Sequence, residues 1–334
     1  MTHYWMTAVW RLPILSKPRT MRSEPRRSDC MKEPIQNYAT IGLVHFMLWK
    51  ECIKGEGDFS SVSTLLDDPY FDAIEVSWIK DAAARARVAQ AVRQSGKALA
   101  FGAQPVLLTQ KLDINHLDEA ERSRAVAAVV DVMPQAVELG ARGLGLLSGK
   151  NVAAAHKDRA MEQLVKSLVE IGSALKQHSD IPLVLETFDQ LDYGKNCLIG
   201  PNKDAAAIAT EVRKSIPGFG LMIDLSHLPL QGESSAGAWA DAGDYVVHAH
   251  MGNCIMNKPD HPMNGDEHPP LCDPDGQNCV DELTEYLGVL LENGYLSRER
   301  RPFLSFEVCI YGDWTREKLL AQCKETLDTA WARV

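Results

Sequence analysis

Short apolar runs alternate with longer stretches of helical periodicity from residue 39 to the end of the chain. In two of these stretches the apolar side chains recur every three or four residues, as on one face of a helix. The first ends at Gly140, a typical residue just past a helix C-terminus. The faces are predicted to be Ala125, Val129, Val132 and Val137 in the first helix, and Leu164, Leu168, Ile171 and Leu175 in the second. A last helix is predicted within 315–334. The eight apolar runs are 39–46, 72–78, 97–104, 142–148, 181–187, 219–225, 245–251 and 302–308.

The eight runs are apolar almost throughout rather than at every second position, which is typical of parallel strands covered on both faces. Strands followed by helical sequence indicate βα crossovers. We therefore predict an α/β protein, a single-domain (β/α)₈ TIM barrel over residues 37–334. A doubly wound open sheet is the alternative, but "GLVHFMLW" after the first strand contains no glycine-rich phosphate loop.

Four consecutive predicted strands end in residues that can bind a metal. They are Glu186, Asp224, His250 and Glu307. Side chains alternate between the two faces of a strand, so each of the four residues lies on the same side as the residue two positions before it. All four side chains can therefore point into the barrel mouth. Chemistry in such barrels lies at this end of the strands. Three carboxylates and one imidazole suit Mn²⁺, Mg²⁺ or Co²⁺, with Zn²⁺ possible, and a divalent cation would offset the repulsion between the carboxylates.

Other polar and aromatic residues near the strand ends are candidates for contacts with a substrate. His45, Glu75 and Gln104 end the first three strands, and the alternative for each is a hydrogen-bonded polar group of the core. Trp49 and Trp78 lie just past the first two strands, where rings stack on sugars or simply pack. His261 and His268 lie in the long segment after the seventh strand.

The composition of the chain limits the classes of partner that it can bind. The chain has 334 residues, of which 45% are hydrophobic, and a formal net charge of −10. An acidic surface disfavours nucleic acid and fits a small sugar-like substrate. No run of 18 uninterrupted apolar residues predicts a membrane span. The eight cysteines are scattered without a CxxC pair, which favours free thiols in a reducing cytoplasm.

The first 36 residues differ from the rest. Residues 11–30 contain six Lys or Arg, two acids and three prolines, without helical or strand periodicity. We interpret residues 1–36 as a disordered basic extension.

The ordered set LETFD, DLSH, HAHMGN and SFEV, within about residues 39–334, resembles the xylose-isomerase-like sugar phosphate isomerase/epimerase superfamily, also called the AP endonuclease 2 family. The resemblance implies that Glu186, Asp224, His250 and Glu307 bind a divalent metal, most often Mn²⁺, and that the two glutamates also move protons. His227, in the D-x-x-H motif, is implied to contact a substrate hydroxyl.

This resemblance implies a metal-dependent sugar isomerase or epimerase of carbohydrate metabolism. Such an enzyme removes a proton next to a carbonyl and passes through an enediolate, with one carboxylate on each face of the sugar. We expect a small sugar substrate and a homo-oligomer. An apurinic endonuclease of the same superfamily is disfavoured because the second and third strands end in "EVSW" and "GAQP" rather than in histidines. A non-catalytic sugar-binding barrel is disfavoured because both proton-transfer carboxylates are present.

The segment at about 252–278 departs from the simple epimerases. It is rich in Pro, Asp, His and Asn and predicts a structured lid. The epimerases carry an arginine shortly after the metal-binding histidine, whereas Lys258 is the nearest cation here. The segment looks more like the α-subunits of bacterial C-glycoside deglycosidases. The alternative function is therefore a lyase that cleaves a 3-keto-glycoside by β-elimination with a small β-subunit as partner.

Overall fold

The structure is a computed structural model that describes residues 33–334. Its eight strands are parallel and lie in the order β1-β8-β7-β6-β5-β4-β3-β2, and a parallel bridge between Val44 and Glu75 joins β1 to β2. The predicted single-domain (β/α)₈ barrel is confirmed. Each predicted apolar run coincides with one strand, and only β7 extends one residue beyond its run. The strands are β1 Thr40–Leu43, β2 Ala73–Val76, β3 Ala98–Gly102, β4 Leu144–Leu147, β5 Leu183–Glu186, β6 Gly220–Asp224, β7 Val246–Gly252 and β8 Phe303–Glu307.

Helices surround the strands and cover the outer face of the barrel. Several begin at a side chain that caps the first turn, as Asp118 does for α5, and three end at a glycine in the left-handed conformation, such as Gly140. The helices are α1 His45–Leu48, α2 Ser61–Asp67, α3 Ala82–Ser95, α4 Gln104–Gln110, α5 Glu119–Leu139, α6 Lys157–His178, α7 Asn202–Arg213, α8 His227–Gln231, α9 Ser235–Ala242, α10 Val280–Glu292 and α11 Arg316–Trp331. No helix of residues 33–334 is long and apolar enough to cross a membrane.

The predicted helix faces are confirmed except at one position. All four predicted residues of α6 are buried, whereas in α5 Val137 is 41% exposed. Helix α5 continues regularly through Pro134, so Val137 lies about 140° around the axis from Val132. Met133 and Ala136 are buried in its place.

The described residues begin at residue 33, a few residues before the predicted boundary at residue 36. Ile35 opens a short 3₁₀ helix and is buried, and Trp331 Nε1 donates a hydrogen bond to the Glu33 carbonyl. Residues 33–36 therefore pack on the barrel. Residues 1–32 of the predicted extension lie outside the described residues.

The expectation of free thiols is wrong for one pair, because Cys272 and Cys279 form a disulfide. Cys272 adopts a positive φ, and its amide donates to the Asn278 carbonyl, so the chain turns back on itself within seven residues. Spacing alone did not reveal this turn. The other described cysteines, Cys52, Cys197, Cys254, Cys309 and Cys323, are free and buried.

Candidate active site

The four predicted metal ligands come together at the carboxyl ends of β5 to β8. One ligand atom from each of Glu186, Asp224, His250 and Glu307 lies within 4.8 Å of the other three, and all four residues are buried. Strand register produces this meeting, since Asp224 pairs with His250 and Gly252 pairs with Glu307.

The ligand atoms of this cluster are unpaired. Glu186 Oε1, Asp224 Oδ2, His250 Nδ1 and Glu307 Oε2 are buried without a hydrogen-bond partner among the described residues. His250 Nδ1 lies 2.7 Å from Glu307 Oε2, but without the angles of a hydrogen bond. Buried polar atoms in proteins are nearly always paired, so four converging exceptions call for an absent group. Three carboxylate oxygens and one imidazole nitrogen suit a divalent cation.

The pKa shifts of the cluster also favour a bound cation. Burial raises the pKa of Asp224. Burial alone would lower the pKa of His250, but Glu75 and Glu307 outweigh it and raise that pKa well above its ordinary value. Each shift moves the cluster toward neutrality, which a bound cation would achieve without protons.

Glu75 and Gln104, from outside the four ligand strands, hold the cluster in place. Glu75 Oε1, on β2, accepts hydrogen bonds from Nε2 of His248 at 2.7 Å and from Nε2 of His250 at 3.2 Å. Gln104 Nε2, at the start of α4, donates to Glu186 Oε2 at 2.8 Å. Glu75 and Gln104, both predicted as substrate contacts, line the cavity at this cluster and also orient a candidate ligand.

A second buried group, made of His227, Asp266 and His268, adjoins the cluster of four candidate metal ligands. His227 Nδ1 donates to the Thr187 carbonyl at 2.6 Å, and His227 Nε2 lies 3.2 Å from Asp266 Oδ1. His268 Nε2 lies 2.9 Å from the same oxygen. Burial opposes a charged His268, but Asp266 and Glu307 raise its pKa to about 9. The two imidazoles therefore share one carboxylate beside the cluster, and Asp224, His227 and His268 also have ligand atoms within 4.8 Å of one another.

Gly252 makes this arrangement possible. A side chain there would start 3.0 Å from each of Asp224 Oδ1, the Glu307 carbonyl oxygen and His268 Nδ1. Glycine at the end of β7 thus allows the second group to approach the first.

A cavity of about 200 Å³ opens onto the cluster. Glu186, His250, His268 and Glu307 line its polar side, together with Glu75 and Gln104. Its apolar side is formed by Val44, Phe46, Val184 and Met222. Such a space, with convergent polar groups on one side, suits a small ligand.

Five predicted substrate residues lie outside this cavity. One is His227, which lies behind it next to Asp266, and the other four are engaged elsewhere. Val44 and Phe46 line the cavity, and the side chain of the intervening His45 points away from it. His45 Nε2 forms a hydrogen bond with Ser61 Oγ at 2.8 Å, and the His45 ring stacks on Trp49. Arg316 covers the other ring of this stack, Trp49.

Trp78 and His261 are likewise engaged elsewhere. Trp78 Nε1 donates to the Ile53 carbonyl at 3.1 Å, and Lys80 lies over its ring. His261 packs edge-on against Tyr311 at the outer side of the 252–278 segment. The predictions for His45, Trp49, Trp78 and His261 are therefore corrected, because positions just past a strand are turned by the following loop and no longer obey strand alternation.

The 252–278 segment folds as a compact loop. Asn253 Oδ1 accepts from the amides of Cys254, Gln277 and Asn278, and Asn253 Nδ2 donates to the Pro270 carbonyl. These bonds join the two ends of the segment. The middle of the loop then places Asp266, Glu267 and His268 at the cavity.

Asp266 and Lys195 were missed by sequence reasoning. Lys195, in the loop after β5, donates to the Asp266 carbonyl at 2.5 Å and lines the cavity. The Asp-x-His pattern of residues 266–268 was a usable signal, because two metal- or proton-binding side chains two apart recur in such sites. Lys195 carried no comparable local signal.

Known structures share this fold. A structure of L-ribulose 3-epimerase matches with a TM-score of 0.63 and 18% identity, over 87% of this chain and 95% of that one. The 3-keto-D-glucoside 4-epimerase of E. coli matches with a TM-score of 0.59 and 13% identity, over 86% and 98%. The IOLI protein with a binding zinc atom matches with a TM-score of 0.56 and 13% identity, over 87% and 95%. No curated protein matches the sequence.

The family comparison covers most of the barrel. The model of the xylose isomerase-like TIM barrel, AP endonuclease 2, matches residues 69–328, which include all four residues of the cluster. The chain therefore belongs to the xylose isomerase-like TIM barrel family.

Proposed function

We propose that the protein is a divalent-metal-dependent sugar isomerase or epimerase that removes and returns a proton next to a carbonyl. The observation that carries this proposal is the set of four buried, unpaired ligand atoms from Glu186, Asp224, His250 and Glu307, beside a cavity that Glu186, His250 and Glu307 line. The solved structures of similar fold include sugar 3- and 4-epimerases, which supports a sugar as the substrate.

Glu186, Asp224, His250 and Glu307 would hold the cation, for which we propose Mn²⁺ before Mg²⁺, Co²⁺ or Zn²⁺. When bound, the cation supplies a Lewis acid that polarises a carbonyl oxygen and its neighbouring hydroxyl. One neighbour of similar fold has a bound zinc atom, so Zn²⁺ stays among the candidates.

The two glutamates are the proposed proton carriers. Glu186 ends β5 and Glu307 ends β8, so their carboxylates reach the cavity from strands on either side of β6 and β7. Each can accept a proton from a C–H on its side of the sugar and return one to the same carbon. Gln104 fixes one oxygen of Glu186 and leaves the other free.

The two histidines of the second group, His227 and His268, would supply hydrogen-bond donors to the site when protonated. His227 and His268 both have raised pKa values although burial opposes their charge, because Asp266 lies between them. His268 lines the cavity and can donate to a substrate oxygen. His227 Nε2 lies 3.2 Å from Asp266 Oδ1. We propose that His227 keeps this pair charged and also contacts a substrate hydroxyl.

The second candidate is a lyase that removes the aglycone of a 3-keto-glycoside by β-elimination, with a small β-subunit as partner. Two observations favour it: a neighbour that acts on a 3-keto-glucoside, and a second cavity that adjoins the first. After one glutamate takes the proton, a protonated His268 can give one to the leaving oxygen.

The test is solvent exchange. The Mn²⁺-loaded protein is incubated in D₂O with a panel of ketoses and 3-keto-glycosides, and products and deuterium content are followed by NMR. Deuterium at the carbon next to the carbonyl of an isomerised sugar is expected for the first function. Release of an aglycone is expected for the second. Absence of exchange with every member of the panel, at full metal content, would refute both.

A further inference from the structure

A second cavity of about 330 Å³ lies between α4 and the loops after β4 and β5. Leu107, Leu108, Leu112 and Leu147 form its apolar wall. Three lysines, Lys111, Lys150 and Lys195, also line it. Three cations in one cavity are unusual for a chain whose formal net charge is −10.

The two cavities adjoin, because Leu108 and Lys195 line both. Ligand pockets usually hold about 300–1,000 Å³, so the first cavity alone, at about 200 Å³, is small for anything larger than a monosaccharide. The second cavity extends the space away from the candidate metal ligands. A ligand that fills both has a sugar at one end and a further group at the other.

Positive charge in the second cavity is incompletely balanced. The Lys195 ammonium already lies 3.6 Å from Asp266 Oδ2 and 3.7 Å from Glu267 Oε1. Lys150 Nζ donates to the Lys195 carbonyl at 2.7 Å. Of the three lysines that line this cavity, only Lys195 forms an ion pair within residues 33–334.

Asp113 is the one acid of this cavity, and it is committed to the backbone. Its Oδ1 accepts from the Asn115 amide at 2.8 Å, and a side chain at Gly149 would start only 1.6 Å from that oxygen. The carboxylate is thus held against the loop after β4. Burial raises the pKa of Asp113 and the nearby Lys150 opposes this effect, but Lys150 forms no ion pair with this carboxylate, and Lys111 and Lys150 both line the cavity.

We propose that the second cavity binds the anionic arm of the substrate, an apolar group that carries a carboxylate or a phosphate and is linked to the sugar held in the first cavity. The leucine wall fits the apolar body of this arm, and Lys111 and Lys150 fit its negative end. The substrate class is therefore an acidic glycoside rather than a free ketose. This proposal rests on the proposed function only in taking the group in the first cavity to be a sugar.

The experiment measures binding and turnover separately. Two probes, phenyl 3-keto-β-D-glucoside and its 4-carboxyphenyl analogue, are titrated by calorimetry into the Mn²⁺-loaded protein. A third probe, 3-keto-glucose 6-phosphate, tests whether the anion sits on the sugar instead. Each titration is repeated with Lys111→Gln/Lys150→Gln and with Lys203→Gln, a control at an exposed lysine of α7 that lines neither cavity.

The carboxyphenyl probe is expected to bind at least about tenfold more tightly than the phenyl probe, and the double variant to lose that preference, since each contact to a charged group is strong. The preference should also weaken as NaCl is raised. Preference for the phosphate probe alone would place the anion on the sugar and overturn the proposal of an anionic arm. Equal binding of all three probes, no binding of any, or an unchanged preference in the double variant would overturn the proposal.

Solvent exchange of the same probes separates this proposal from the proposed function. A lysine-dependent preference without any exchange refutes the proposed chemistry and keeps the anion site. Exchange of the phenyl and carboxyphenyl probes at equal kcat/KM, in both wild type and double variant, refutes the anion site and keeps the chemistry.

Discussion

The Glu75 carboxylate accepts a hydrogen bond from His250 Nε2 at 3.2 Å, so Nδ1 of the same ring is the atom that faces the cluster. A carboxylate can only accept here, because burial alone would raise the pKa of Glu75 but His248 and His250 lower it well below its ordinary value. The proton of the ring is therefore on Nε2. Glu75 sets both the tautomer and the orientation of a candidate metal ligand.

Removing the charge of Glu75 should weaken metal binding without removing a ligand. We expect Glu75→Gln to lower the affinity for Mn²⁺ by about 10–100-fold, because the ring loses its negatively charged acceptor. Titration of the metal-free protein with Mn²⁺, followed by the paramagnetic resonance signal of the free ion, measures this change. Glu285→Gln, at an exposed position of α10, is the matched control and should bind like wild type. Equal affinities in the two variants would contradict the role of Glu75.

The barrel and the convergence of the four strand-end residues were predictable because both depend on local sequence. A buried parallel strand is read from its own apolar run, and alternation along β5 to β8 fixes which side chains point inward. Neither needs knowledge of how distant segments pack.

The errors arose where the chain leaves regular structure. His45 and Trp49 lie past β1, where α1 turns the side chains away from the cavity. Asp266, Lys195 and the Cys272–Cys279 disulfide depend on how two long loops fold back over the barrel mouth. Contacts between such loops leave no periodic signal in the sequence.

Asp224→Asn should stabilise the metal-free protein while abolishing its stabilisation by metal. Burial raises the pKa of Asp224, and Glu307 adds to this effect, so the carboxylate is unfavourable in the absence of a cation. In EDTA we expect the variant to unfold at a temperature about 2 °C higher than wild type. With excess Mn²⁺ the order should reverse, because only wild type gains binding energy. Calorimetric scans in the two buffers provide the test, and a variant less stable than wild type in EDTA would argue against an unoccupied charge cluster.

Protonation of His45 should oppose folding in acid. Burial, with the charge of Arg316 as a further cause, lowers the pKa of His45 to about 3, whereas the unfolded chain has a value of about 6.5. Between these values only the unfolded chain takes up the proton, so stability present above pH 6.5 is lost as the pH falls toward 3.

His45→Gln keeps a partner for Ser61 Oγ but cannot titrate. We expect the free energy of unfolding to depend less on pH below 6.5 in this variant, by up to about 1.4 kcal/mol per pH unit. Urea unfolding at pH 7 and pH 5 measures the difference, with His156→Gln at an exposed position as control. A slope identical to that of wild type would show that His45 takes up its proton in the folded state.

The 252–278 segment should become less mobile when the cavity is filled, if it acts as the predicted lid. Asp266, Glu267 and His268 contact the cavity from this segment, so a bound ligand adds contacts to the loop. We expect deuterium exchange of its backbone amides to slow at least about threefold with Mn²⁺ and a non-reacting sugar analogue, as local opening becomes rarer. Residues 179–182, before β5 at the opposite end of the barrel, serve as the internal reference. Unchanged exchange across 252–278 would leave the segment a rigid wall rather than a lid.

Glu186 and Glu307 should differ from every other carboxylate of the cavity in how they affect proton transfer. Both have an unpaired oxygen at the cluster, and they come from strands three apart. If one base acts on each face of the sugar, Glu186→Gln or Glu307→Gln lowers the rate of net epimerisation by at least about 100-fold, the usual contribution of a general base. A variant that retains its metal can still exchange the proton on the face of the remaining glutamate. Glu267→Gln, which alters a lining carboxylate outside the cluster, should epimerise like wild type.

Product formation and solvent exchange must be measured side by side on metal-loaded variants, because loss of the metal would mimic loss of a base. Exchange without epimerisation in both variants identifies two bases on opposite faces. Elimination from a 3-keto-glycoside needs only one carboxylate to take the proton, and His268, 3.8 Å from Glu307 Oε1, can supply the proton for the leaving group. A lyase would therefore keep substantial elimination in one of the two glutamine variants and lose it in His268→Gln. Full epimerisation by either metal-loaded glutamine variant would overturn the two-base mechanism.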